Sequence, residues 1–151
     1  MFSGFREFKF NPDKAFDEPI AVPRSKDELS IQEKVSNARA CQSKAISERQ
    51  FSSCHIFAEM ARQTANSFLS QELPLVQQAK DEATRQKHCQ SALLYSQAIV
   101  DLAHLQNESS MKVKPVLNLT QAEQRMFPLN RYLASMRKHN ELLTQCTKPK
   151  I

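Results

Sequence analysis

Apolar residues recur at steps of three and four along most of the chain, which is the spacing of helices that bury one face. The pattern is clearest between Cys89 and His104, where small residues alternate with bulky ones. Small residues let a second helix approach closely, so we expect this stretch to be the central packing helix. Its predicted buried face consists of Leu94, Tyr95, Ala98, Leu102 and Leu105.

Residues 25–73 contain neither glycine nor proline and begin with two capping-box patterns, so a helix is predicted to start between Ser25 and Ser30. The apolar stripe then loses phase at residues 47–50 and resumes. This break predicts either a turn or one long helix whose buried face shifts, and we favour the turn. The predicted buried residues are Ile31, Val35, Ala38, Cys41 or Gln42, Ala45, Phe51, Cys54, Phe57 or Ala58, Ala61, Ala65 and Phe68.

Prolines and caps divide the second half of the chain. Pro74 suits the first turn of a new helix, and the central helix is expected to follow and to end near Asn107. Residues 107–119 are predicted to be a loop, and the Thr120-x-x-Glu123 capping box then starts a last helix that Pro128 kinks or restarts. The predicted buried residues of that helix are Met126, Leu129, Leu133, Met136 and Leu142 or Leu143.

Residues 1–24 differ in composition from the rest, since they hold five of the nine phenylalanines and three of the seven prolines. The prolines prevent a long helix, so we predict an extended arm, then one helical domain at 25–146 and a frayed tail at 147–151. The arm either packs back onto the helical body or docks in the groove of a partner. For the second case the candidate partner-binding residues are Phe5, Phe8 and Phe10.

A weak internal repeat appears when the chain is shifted by 38 residues, because Ser53 then superposes on Ser91 and Phe57 on Tyr95. Ser91, Tyr95 and Ala98 resemble the second helix of tetratricopeptide-type repeats, and residues 91–99 resemble the closing helix of microtubule-interacting and trafficking domains. The resemblance covers residues 38–106, without the glycine and proline that those families place at their turns. It implies a stack of helical hairpins that binds other proteins.

Composition narrows the fold class further, because the chain has a single glycine, Gly4. Tight hairpins and phosphate-binding loops need glycine, so strand-rich folds and nucleotide-dependent chemistry are disfavoured. We therefore predict an all-α protein, either an antiparallel helical bundle or a short tetratricopeptide-like stack of helical hairpins with an extended N-terminal arm.

The cysteines and histidines show no recognisable site. Cys54-His55 and His88-Cys89 are neighbours, but adjacent residues on a helix point about 100° apart, and the usual spacings of zinc ligands are absent. Four scattered cysteines are too few for a disulfide framework, so reduced thiols are expected. We predict no enzyme, no catalytic residue, no metal, no cofactor and no small-molecule substrate.

Charge is concentrated near the C-terminus, where residues 111–151 carry eight basic and two acidic side chains. The candidate partner-binding residues there are Arg131, Arg137 and Lys138, accompanied by Arg125, Tyr132 and His139. The function that we favour is a non-enzymatic protein–protein interaction module, an adaptor or subunit of a larger intracellular complex. The alternative is binding of nucleic acid or an anionic membrane through this basic helix.

The N-terminal residues interleave charges with aromatics instead of forming an apolar signal sequence. No apolar run approaches the roughly 20 residues that cross a bilayer. We therefore expect an intracellular, cytoplasmic protein, with a nuclear location left open.

Overall fold

The computed structural model describes residues 25–113 and 121–148, and for residues 121–126 it describes the helical backbone alone. These residues form four helices: α1 (Lys26–Lys44), α2 (Glu48–Gln78), α3 (Glu82–Ser110) and α4 (Gln121–Thr147). No strand occurs in the described ranges, so the predicted all-α class is confirmed. The predicted arm at 1–24, with Phe5, Phe8 and Phe10, lies outside the described residues, as do Thr120 and residues 149–151.

The helix α3 is the centre of the fold. It packs against α1, α2 and α4, and α1 also packs against α2, whereas within the described residues the backbone of α4 approaches only α3. Residues 91–100 of α3 are all buried, whichever side of the helix they occupy. The prediction that the stretch beginning at Cys89 is the central packing helix is therefore confirmed.

Two sides of α3 bury different partners. One side joins α1 and α2 in a cluster that includes Ile31, Ala61 and Leu94. The other side receives α4, with Leu142 and Cys146 packed near Leu93 in one cluster, and Tyr132 packed near Val100 in another. The buried residues predicted for α1, α2 and α3 are largely confirmed, with Ala58 buried in place of the exposed Phe57.

The turn predicted at residues 47–50 is confirmed slightly upstream, because α1 ends at Lys44 and α2 begins at Glu48. Ser47 caps α2 through a capping box, in which its hydroxyl accepts from the Gln50 backbone N–H and the Gln50 side chain accepts from the Ser47 N–H. These reciprocal bonds satisfy two backbone donors that a helix start leaves open. Short connections of this kind make consecutive helices antiparallel neighbours.

The prediction that Pro74 begins a new helix is wrong. Pro74 lies inside α2, which continues to Gln78, and α3 begins after the N-cap Asp81, whose carboxylate accepts from the Thr84 N–H at 2.8 Å. Val76 and Ala79 are buried beyond the proline. Their packing holds the helix together across the missing backbone donor, because tertiary burial outweighs local propensity.

The expectations for α4 are only partly correct. The helix runs through Pro128 without restarting, and its buried residues include Tyr132, His139 and Leu142, whereas Leu129 and Leu133 are exposed. Two neighbouring sides of α4 are apolar, and its backbone approaches only α3 among the described helices, although Val76 of α2 joins Leu142 and Cys146 in one buried cluster. Periodicity could not tell which of these two sides faces the core.

The 38-residue repeat has a different meaning in the structure. It relates Ser53 in α2 to Ser91 in α3, which are consecutive helices packed against each other. A stack of hairpins would instead repeat over two helices at a time. The repeat therefore records similar helix faces and does not mark successive hairpins.

The expectation of reduced thiols is wrong. All four cysteines are paired: Cys41–Cys54 joins α1 to α2, and Cys89–Cys146 joins α3 to α4. The Cα atoms of the two pairs are 5.7 and 5.9 Å apart. Scattered positions in the sequence gave no sign of this proximity, because helix packing creates it.

Candidate partner-binding face of α4

The exposed apolar side of α4 is the feature most suited to binding another protein. Leu129 and Leu133 are 41% and 46% exposed, and Met136 beside them is half-buried. Their spacing of four and three residues places them on one line of the helix surface. We call this surface the Leu133 face and define it as Leu129, Leu133, Met136, Arg137, Asn140 and Thr144.

The Leu133 face borders an open, shallow depression of about 650 Å³. Its lining consists of Leu133, Met136, Arg137, Asn140, Glu141 and Thr144. An open depression of this shape suits a helix lying across the surface better than an enclosed small molecule.

The three predicted basic residues of α4 are not brought into one patch. Arg131 and Lys138 lie seven residues apart and share one side of the helix, whereas Arg137 lies one turn from Leu133 on the opposite flank. The Arg131 guanidinium also donates a hydrogen bond from Nη1 to Glu59 Oε1 at 2.9 Å, and this bond links α4 to α2. Arg137 is thus the basic candidate that belongs to the Leu133 face.

Two side chains that the sequence grouped with this basic region face the core instead. His139 is buried with its Nδ1 3.0 Å from Ser96 Oγ, and burial lowers its pKa to about 4, so its ring is neutral at pH 7. Tyr132 is buried with its ring 5.0 Å from that of His104. Neither is placed to meet a phosphate or a base at the surface.

A polar hub around Glu59 escaped the sequence analysis. The Glu59 carboxylate accepts hydrogen bonds from Arg62, Gln63, Gln106 and Arg131, and so connects α2, α3 and α4. Arg62 is the main reason that the pKa of Glu59 falls to about 2. Only the pair of Glu59 with Arg62, three residues later on the same helix, can be recognised from its spacing in the sequence. Gln106 and Arg131 belong to other helices.

Two serine hydroxyls in the described residues contact a histidine ring nitrogen: the buried pair Ser96 and His139 at 3.0 Å, and Ser109 Oγ with His55 Nδ1 at 3.1 Å. Ser109 and His55 are the pair with a partly exposed histidine. The Ser109 hydroxyl is also within 3.2 Å of the Gln106 carbonyl, and the residue is 1% exposed. A substrate could reach it only by opening the α2–α3 packing. Burial also lowers the pKa of His55.

The Cys–His neighbours do not form ligand sets. Cys54 and Cys89 are each held in a disulfide, and His88 lies 3.1 Å from a Glu72 carboxylate oxygen. Among the described residues, no three His, Cys, Asp or Glu side chains are grouped as metal ligands would be.

A second exposed apolar patch lies on α2, where Ile56, Phe57 and Met60 are 61%, 40% and 64% exposed. Arg137 lies four residues after Leu133, whereas no basic residue lies four residues after any member of the α2 patch. This patch provides a matched comparison for the Leu133 face.

Comparison with protein-family models, curated proteins and solved structures found no significant match to the chain. In the described part of the chain, no helix combines the length and apolar character that crossing a membrane requires.

Proposed function

We propose that this chain is a non-enzymatic protein–protein interaction module, an adaptor or subunit of a larger complex, which docks a helix of its partner on the Leu133 face. The observation that carries the proposal is the exposed pair Leu129 and Leu133, continued by the half-buried Met136 at the edge of the core, beside a shallow depression. Helices dock in grooves through apolar anchors at this spacing.

The charge of the region indicates the chemistry of the partner. Arg137 borders the apolar line, and residues 111–151 as a whole carry eight basic against two acidic side chains, of which Glu141 also lines the depression. Lys138 lies on the other side of α4. Complementary charge fixes orientation and speeds encounter. The partner that fits is an amphipathic helix with an apolar stripe and acidic residues along its flank.

The resemblance of residues 91–99 to the closing helix of microtubule-interacting and trafficking domains supports the same class of function, since those modules present helix faces to other proteins. The tetratricopeptide likeness gives no further support, because the 38-residue repeat relates consecutive helices. The arm residues Phe5, Phe8 and Phe10 stay a prediction as a second contact. The cytoplasmic location also stays a prediction, and the paired cysteines do not support it, because disulfides persist chiefly in oxidising compartments.

The test is a pull-down of the tagged full-length chain from nuclease-treated lysate, comparing wild type, Leu133→Asp and the matched control Met60→Asp. We expect a small, stoichiometric set of proteins that persists with Met60→Asp and is lost with Leu133→Asp. Thermal melting of each variant confirms that the fold is intact. Loss with Met60→Asp alone would transfer the site to α2 and refute the proposal.

Binding of nucleic acid or an anionic membrane is the competing outcome of the same experiment. It predicts a captured set that collapses on nuclease treatment, or binding to vesicles of anionic lipid that falls steeply with salt. If either kind of binding is found and Leu133→Asp does not reduce it, the proposed docking on the Leu133 face is wrong. The engagement of Arg131 by Glu59 and the burial of Tyr132 and His139 leave few groups for that role.

A further inference from the structure

The two disulfides differ in how a solute can reach them. Cys89 and Cys146 are both buried in the core between α3 and α4. Cys41 is half-buried, and the Cys41–Cys54 pair lines an open depression of about 340 Å³ at the α1–α2 turn. A small thiol in solution can therefore approach Cys41–Cys54, whereas Cys89–Cys146 stays covered by the core.

The depression at Cys41–Cys54 is positively charged. Lys44 and Arg49 line it, both are exposed, and none of its other lining residues, Ala45, Gln50 and Ser53, carries a charge. Glu48 precedes Arg49 in the chain but does not line the depression.

Positive charge at a disulfide favours exchange with an anionic thiol for two reasons. The attacking species is a thiolate, and local cations raise its concentration at the surface. The departing sulfur leaves as a thiolate, which nearby cations stabilise.

We propose that Cys41–Cys54 is a thiol–disulfide exchange site for small anionic thiols of the glutathione class. The thiolate attacks Sγ of Cys41, because Cys41 is half-buried whereas Cys54 is only 4% exposed. A bond forms between the incoming sulfur and Cys41, the Cys41–Cys54 bond breaks, and its electron pair leaves with the Cys54 thiolate. The incoming sulfur is oxidised and Cys54 is reduced, so the product is a mixed disulfide at Cys41.

A second thiolate can complete the reduction. It attacks the small-molecule sulfur of the mixed disulfide, releases the symmetrical small-molecule disulfide and leaves Cys41 as a thiolate. The two protein thiolates then take protons from water. The Cys89–Cys146 bond stays intact, so α4 remains tied to α3 throughout.

The test uses the folded, oxidised full-length chain and two thiols of opposite charge, glutathione and cysteamine, at equal thiolate concentration. Acid quenching and peptide mass spectrometry locate the first adduct. We expect it at Cys41, with glutathione reacting several-fold faster than cysteamine. Lys44→Gln with Arg49→Gln should remove the preference, whereas Lys26→Gln with Lys80→Gln, which deletes the same charge elsewhere, should retain it.

Several results would overturn the proposal. A first adduct at Cys89 or Cys146, equal rates for the two thiols with wild type, or reaction only after denaturation would each contradict it. So would the finding that Cys41 and Cys54 are free thiols in the purified chain.

Discussion

At the residue scale, Asp101 is the side chain whose environment is least expected from the sequence. It is fully buried on α3, its carboxylate accepts from the Gln97 amide at 2.8 Å, and desolvation raises its pKa to about 8. Arg39 on α1 acts in the opposite direction but does not outweigh the loss of water. The carboxyl is therefore protonated at pH 7 in the folded chain.

We predict that Asp101→Asn flattens the dependence of stability on pH. The folded pKa of about 8 exceeds the ordinary value of 3.8, so the folded state binds the proton more strongly and loses this advantage as pH rises from 3.8 to 8. Urea unfolding should show that the free energy of unfolding of Asp101→Asn rises relative to that of wild type as pH increases between these limits. The control is Glu33→Gln, an exposed change that should leave the dependence of stability on pH unchanged. If stability depends on pH in the same way in Asp101→Asn and in wild type, Asp101 is not protonated in the folded chain.

A second residue-scale prediction compares two leucines. Leu94 is fully buried against α1 and α2, whereas Leu133 is 46% exposed. Leu94→Ala should reduce the free energy of unfolding by about 2–4 kcal/mol, and Leu133→Ala by about 0.5 kcal/mol or less. Equal losses in chemical denaturation would show that Leu133 belongs to the core, which would remove the candidate site.

Helical spacing predicted the buried apolar residues of α1, α2 and α3, but it misplaced Leu129 and Leu133 of α4 and gave no sign of the buried polar residues. Leu94 and Tyr95 follow from helical spacing, because that pattern is local. The burial of Asp101, the neutral His139 beside Ser96 and the hub at Glu59 depend on side chains contributed by other helices or other turns. No local pattern contains that information.

At the element scale, helix boundaries followed caps more closely than prolines. Ser47 and Asp81 begin α2 and α3, whereas Pro74 and Pro128 both lie inside helices. Ser47 and Gln50 have capping-box spacing that can be read from the sequence. The side of α4 that faces the core could not be read, since it depends on how α4 lies on α3.

We predict that Pro74→Ala stabilises the chain, because it restores a backbone donor inside α2 and removes a ring that crowds the preceding turn. The expected gain is about 1–3 kcal/mol, the upper end being the full penalty of an interior proline. Gln71→Ala, an exposed change in the same helix, is the control and should have little effect. Thermal and urea unfolding measure both, and a loss of stability in Pro74→Ala would indicate that the proline is needed.

At the scale of the whole molecule, α4 is tied to α3 near its C-terminal end and to α2 in its N-terminal half. Near its C-terminal end lie Cys89–Cys146 and Arg85, whose guanidinium donates to the Lys148 carbonyl at 2.7 Å. Toward its N-terminal half, Arg131 pairs with Glu59. The helical class could be predicted from the periodicity and the single glycine, but these long-range ties could not.

Removing each disulfide should therefore destabilise the chain to a different extent. Cys89 and Cys146 are 57 residues apart and Cys41 and Cys54 are 13 apart, so the first bond restricts the unfolded chain more. Loop-closure entropy gives losses of about 4 and about 3 kcal/mol for the paired Cys→Ser variants. Urea unfolding checks the order, and a larger loss at Cys41–Cys54 would contradict it.

The central claim is that the Leu133 face receives an acidic amphipathic helix of another protein, and a photo-crosslinking amino acid at position 133 tests it most directly. The account predicts that the crosslinked peptide comes from a different protein and has a helical apolar stripe flanked by Asp or Glu, while the same probe at position 60 does not capture it. Crosslinks to residues 1–24, to a second copy of this chain or to nucleic acid would contradict the claim.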